Sequence, residues 1–131
     1  MQQPVNRSLT PSSMAAPAAN YAHAVLSESA TRWLHTSGVV PTAPDGSTPD
    51  DIGEQAAVVW RNIAALLAEA DMGATDIVSI TTYVVAGEPL GPVMAARDAF
   101  VGDHRAASTL VTVPELAQPQ WRMEIAIVAA R

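Results

Sequence analysis

Residues 62–84, "NIAALLAEADMGATDIVSITTYV", change their apolar period half way along. Upstream of Gly73 the apolar positions continue a spacing of three and four that begins earlier in the chain. Ile52, Ala56, Val59, Ile63, Leu66 and Ala70 thereby make one stripe on a helix. Downstream of Gly73 the segment "DIVSITTYVVA" (76–86) is β-branched and reads as a buried strand. A helix with one apolar stripe must bury it against another layer, and the strand that follows is the nearest partner. The helix is predicted over residues 49–71. Thr48 serves as N-cap, Pro49 as first helical residue, Asp50 and Asp51 sit at the positive end of the dipole, and Gly73 closes the helix.

The same alternation extends both ways. "PLGPVMAARDAFVGDH" (89–104) opens on prolines and then places Val93, Ala96 and Phe100 at helical spacing. "ASTLVTV" (107–113) and "WRMEIAIVAA" (121–130) read as strands separated by the loop "PELAQPQ". Upstream, "YAHAVL" (21–26) and "ATRWLHTSG" (30–38) read as short strands joined in a hairpin by "SES", and "VVPTAPDGSTP" (39–49) is a loop. The order β-β-α-β-α-β-β predicts an α+β domain over residues 19–131, a mixed β-sheet with two helices on one face. Residues 1–18, rich in Pro, Ser and Ala, read as a loosely ordered arm. That stretch has no signal-peptide core, and no run in the chain is long enough to span a membrane, so a cytoplasmic protein is expected.

Composition removes several classes of chemistry. All seven basic residues are arginines, and the formal net charge is −6. Without lysine there is no Schiff-base nucleophile and no lysine-anchored pyridoxal phosphate. The acidic balance argues against a nucleic-acid partner, which needs a basic stripe to neutralise phosphates. Without cysteine there is no disulfide, thiolate nucleophile or cysteine metal site. His23, His35 and His104 show no metal-ligand spacing, so a metal site would require the three to converge in space. A chain of 131 residues leaves much of its surface in water, which makes self-association plausible on size alone.

The blocks "PAANYAHAV", "HTSGVVP", the helix start "DD", "NIAALLAEADMGATDIVSITTYV", "ASTLVTVP" and "MEIAIVAA" resemble, in order, successive blocks of the Rid/YjgF family of reactive-intermediate deaminases. The resemblance runs from about residue 17 to the C-terminus. It implies a chorismate-mutase-like fold, a homotrimer, and a cleft for a small molecule between subunits. It further implies hydrolysis of imines and enamines to a keto acid and ammonia, with no cofactor and no metal.

The resemblance also implies site residues. Glu124, in "RMEIAIVAA", matches a glutamate expected to position the attacking water, and Ser37 and Gly38 match a pair that faces the ligand. Tyr21 matches a cleft tyrosine, and the Ser108–Thr109 strand start lines the same cleft. Each has a purely structural counterpart. Tyr21 suits a half-buried strand tyrosine, and Ser37–Gly38 suits a turn that needs glycine. Along the last strand, Met123, Ile125 and Ile127 point one way and Arg122, Glu124 and Ala126 the other. A carboxylate there should be paired with an arginine or have a raised pKa.

Two positions depart from the pattern. Deaminating members carry an arginine directly before the serine, where this chain has Ala107. Arg105 lies two residues earlier, on the same strand face by period but displaced by roughly 6.6 Å. It is either a displaced clamp for a substrate carboxylate or a solvated turn residue beside Asp103 and His104. Met94 stands where many deaminating members carry asparagine, which gives a less polar wall. Arg97, one turn further on, either supplies a charge or pairs with a nearby acid. The expected function is hydrolysis of a reactive imine or enamine; the alternative is a regulatory protein that binds a small metabolite without turnover.

Overall fold

The protein is described here by a computed structural model, which covers residues 5–131. Strand β4 (Ile77–Val85) is the centre of the main sheet because it can bury one full face. Ile80, Thr82 and Val84 are buried, whereas Ser79, Thr81, Tyr83 and Val85 are half-buried on the other side. It pairs antiparallel with β6 (Met123–Ala130) and parallel with β5 (Ala107–Val113). β3 (Trp33–His35) adds antiparallel to β6, giving the order β3-β6-β4-β5. The parallel β4–β5 pair needs a crossover, and α2 (Gly91–Val101) supplies it.

α1 (Ile52–Glu69) packs against α2 and against β6, whose Met123, Ile125, Ile127 and Ala129 enter the shared core. Trp60 of α1 and Phe100 of α2 stack with ring centroids 4.7 Å apart, which locks the two helices together. The predicted α+β class and the placement of both helices on one face of a mixed sheet hold.

Both ends of α1 are shifted from prediction. Asp51, not Thr48, is the N-cap, its carboxylate accepting from the Glu54 N–H at 3.0 Å. Pro49 stays in the preceding loop, where its carbonyl accepts from the buried Gln55. The helix ends at Ala70, before Gly73. Asp71 takes the left-handed conformation (φ 55°), and the Met72 N–H reaches back to the Leu67 carbonyl at 2.8 Å. A short carboxylate side chain tolerates that conformation, so the glycine was not required. Leu67 occupies the core, and Leu66, assigned to the stripe, is 42% exposed.

The predicted hairpin does not form. β2 (Ala24–Ser27) pairs with β1 (Asn6–Leu9) in a separate ribbon, while β3 pairs with β6. Arg32 and Arg131 exchange backbone hydrogen bonds, which ties the start of β3 to the C-terminus instead. Part of the expected loose arm is thus a strand; its residues 1–4 lie outside the described region. The sequence "NRSL" lacks apolar alternation because polar side chains hold it. Asn6 donates to the Ala130 carbonyl at 2.8 Å and accepts from Ser27 at 2.7 Å.

Candidate functional site

Two clefts, at opposite edges of the main sheet, collect most of the predicted residues. The first, of about 490 Å³, lies at the β3 edge and is lined by Ser37, Gly38, Asn62 and Leu66 among others. The chain after β3 leaves the ladder and returns: Thr36 bonds to Ile127, and Val39 exchanges two backbone bonds with Ile125. Ser37 and Gly38 are the bulge between these anchors. Asn62 staples the loop to α1 through the Thr42 carbonyl at 3.0 Å.

Gly38 is pressed against Glu124. A Cβ built on it would lie 1.6 Å from Glu124 Oε2, so any side chain would displace the carboxylate. Glu124 is half-buried opposite Tyr83 on the sheet face away from the helices. The ion pair considered for it is absent among the described residues. Arg122, on the same side of β6, pairs with Glu88 at 3.2 Å. The carboxylate therefore remains unspent next to a glycine whose backbone is bare.

The second cleft, of about 260 Å³, lies at the β5 edge. Ala22 pairs in parallel with Ala107, which fixes Tyr21 at the rim. Ser108 and Leu110 point toward α2 because they share a face with Ile80 and Thr82 of β4. Met94 and Arg97 descend from α2 to meet them. Arg97 is only 6% exposed. Its Nε and Nη2 donate to Asp98 Oδ1 at 3.1 and 2.9 Å, and its Nη1 stands 3.5 Å from Ser108 Oγ.

Arg105 is outside both clefts. It donates to the carbonyls of Gly102 (2.7 Å) and His104 (3.1 Å) and to Asn20 (3.3 Å). It therefore ties the turn after α2 together and lines neither cleft. Thr109, one residue from Ser108, faces the opposite side of the sheet and is exposed. The histidines do not converge. His23 bonds to the Ala15 carbonyl, His104 to the Ile77 carbonyl, and His35 stacks on Trp33. Among the described residues no cluster of metal-ligating side chains is present, and no described helix is long and apolar enough to cross a membrane.

Sequence reasoning missed Leu66 and Asn62 as cleft residues, because a helical stripe does not reveal which edge of it clears the sheet. The linings of the two clefts share no residue, and Glu124, which touches the first only through Gly38, lines neither. Glu124 on β6 and Ser108 on β5 are two strands apart, roughly 10 Å at the usual spacing, and they face opposite sides.

A family model described as Endoribonuclease L-PSP matches residues 12–131. The fold is similar to that of YyfB from Yersinia pestis, a protein of unknown function in the conserved Rid protein family. Its TM-score is 0.86 at 28% identity, covering 97% of this chain and 99% of that one. The YjgF gene product of Escherichia coli is similar with TM-score 0.70 and 30% identity, over 88% of this chain and 93% of that one. TdcF of Escherichia coli strain K12, whose name proposes a reactive intermediate deaminase, is 24% identical over 101 residues, 75% of this chain and 78% of TdcF.

Proposed function

The chain belongs to the Rid/YjgF family, described as Endoribonuclease L-PSP, and from that premise we propose that it hydrolyses a reactive imine or enamine to a carbonyl compound and ammonia. Glu124 carries the reading. It is a half-buried carboxylate with no ion-pair partner among the described residues, held on a strand with a glycine backbone against it. Such a group can orient a water and take its proton.

The chemistry balances without a cofactor. An enamine first becomes an imine by protonation at carbon and loss of a proton from nitrogen. The water oxygen attacks the C=N carbon while Glu124 accepts the proton and the nitrogen gains one. The hydroxyl proton of the resulting carbinolamine passes to nitrogen, and ammonia leaves as the C–N bond breaks and the C=O bond forms. Ser37 and the backbone at Gly38 stand beside the place where the polar atoms of the adduct would lie.

A complete site takes residues from two copies of the chain, as a homotrimer with clefts between subunits would provide. Support comes from the separation of the clefts and from the sheet face away from the helices, where Val111 and Trp33 are 40% and 52% exposed. A small-molecule substrate fits better than RNA, because a lysine-free chain of net charge −6 has little to offer phosphates. One observation favours the second reading, binding without turnover: the strand begins with Ala107, and Arg105 is committed to a turn. The experiment that separates them is keto-acid release from an enamine generated in situ by a pyridoxal-phosphate lyase. Acceleration over the uncatalysed rate supports hydrolysis; ligand binding with no acceleration supports the alternative.

A further inference from the structure

We infer that Arg97 holds the carboxylate of a small acid in the cleft at the β5 edge, and that the acid carries an apolar side chain. The inference rests on the proposed function for the acid being a substrate, but the binding itself needs no turnover.

A nearly buried guanidinium has to be balanced. Asp98 does so from one side only, engaging Nε and Nη2. A guanidinium has five N–H donors, so the Nη1 edge is left over. Its hydrogen-bond partner among the described residues, Ser108 Oγ, stands at 3.5 Å, the outer limit of a hydrogen bond. A carboxylate oxygen placed between Nη1 and Ser108 would shorten both contacts. Asp98 is 36% exposed at its side chain, so water screens its charge, while Arg97, at 7%, acts into a drier space. The Asp98 pair also fixes the plane of the guanidinium, which prepares the remaining edge for a planar partner.

The rest of the cleft defines the other end of the ligand. Leu90, Met94 and Leu110 line it, and Tyr21 stands at the rim with its hydroxyl accepting from the Ala18 N–H at 3.4 Å. The Tyr21 hydroxyl proton has no protein acceptor among the described residues. A volume of about 260 Å³ accommodates a branched apolar side chain behind the carboxylate. Arg105 lines neither cleft, and its Nη1 is committed to two carbonyls while its Nη2 donates to Asn20.

The test is calorimetric titration with 4-methyl-2-oxopentanoate and with its neutral carboxamide. The unmodified protein is expected to bind the acid at least tenfold more tightly than the amide. Arg97→Gln should weaken acid binding at least tenfold and leave the amide unchanged. Arg97→Lys should recover part of the loss, and Arg105→Gln should stay within twofold of the unmodified protein. Equal binding of acid and amide to the unmodified protein overturns the inference, as does a loss that follows Arg105 rather than Arg97, or no measurable binding of the acid. The first comparison needs no variant, so a folding defect in Arg97→Gln cannot obscure it. Arg97-dependent binding with no keto-acid release would sink the hydrolase reading and keep this inference. Turnover that is unchanged in Arg97→Gln would do the reverse.

Discussion

Gly38 and Glu124 share one space: the hydrogen that Gly38 carries in place of a side chain points at the Glu124 carboxylate, 1.6 Å from where a Cβ would sit. The bulge at Ser37–Gly38 is pinned on both sides to β6, by Thr36 and Val39, so it cannot retreat. Only the carboxylate can give way.

Gly38→Ala should therefore remove activity with little effect on folding. Glu124 is half-buried and can rotate toward solvent, which limits the stability cost to about 1 kcal/mol, at the low end for added bulk in a packed region. Loss of a positioned acid-base group should lower turnover about a hundredfold or more. Keto-acid release and thermal melting, measured on one preparation, check the two parts.

Arg105→Ala should show the opposite pattern. Its guanidinium bridges Gly102, His104 and Asn20, so its removal should cost about 1–2 kcal/mol and loosen the turn after α2. Turnover should remain within about twofold, since no bond of Arg105 enters a cleft. Urea unfolding and steady-state rates measure the two effects. A loss of turnover at undiminished stability would return Arg105 to the site.

Gln55 is the polar centre of the core end of α1. It is fully buried, donates to the Pro49 and Gln120 carbonyls at 2.8 and 2.9 Å, and accepts from the Arg122 N–H at 3.0 Å. Gln55→Ala leaves those three backbone groups without their partner and should destabilise the fold by about 3 kcal/mol. The urea midpoint reads it directly. The cost also bears on the site, because Gln55 anchors the residues that lead into β6 and Glu124.

Val111 tests self-association. It is exposed on the sheet face away from the helices, in register with Tyr83, which in turn lies opposite Glu124. Val111→Asp places a charge where copies of the chain would pack. Sedimentation should show a shift toward monomer, with turnover falling in parallel. An unchanged sedimentation coefficient would place the interface elsewhere.

The parts of the fold that were legible are those with one dominant period. β4 and β6 alternate cleanly, and α1 carries its stripe through Ile63. β1 carries no such period because polar side chains, not apolar alternation, hold it, and local sequence cannot pair β2 and β3 correctly because strand pairing is a long-range choice. β3 is completed by β6, ninety residues away, through contacts such as the one between Thr36 and Ile127. At the candidate site, the resemblance singles out Glu124, Ser37 and Gly38, but only the structure presses the glycine against the carboxylate. Arg105 and Arg97 could not be ranked from spacing. Which guanidinium enters a cleft depends on the α2 turn closing over Arg105, and a one-dimensional offset does not contain that geometry.

The most direct measurement is the rate of keto-acid formation when a pyridoxal-phosphate lyase supplies 2-aminoacrylate, or a larger branched enamino acid, to the unmodified protein and to Glu124→Gln. The account predicts acceleration by the unmodified protein with at least one of these substrates. It also predicts a fall of about a hundredfold or more in Glu124→Gln, whose thermal stability should be unchanged. Equal rates for the two proteins, or no acceleration with any of the enamines, would contradict it.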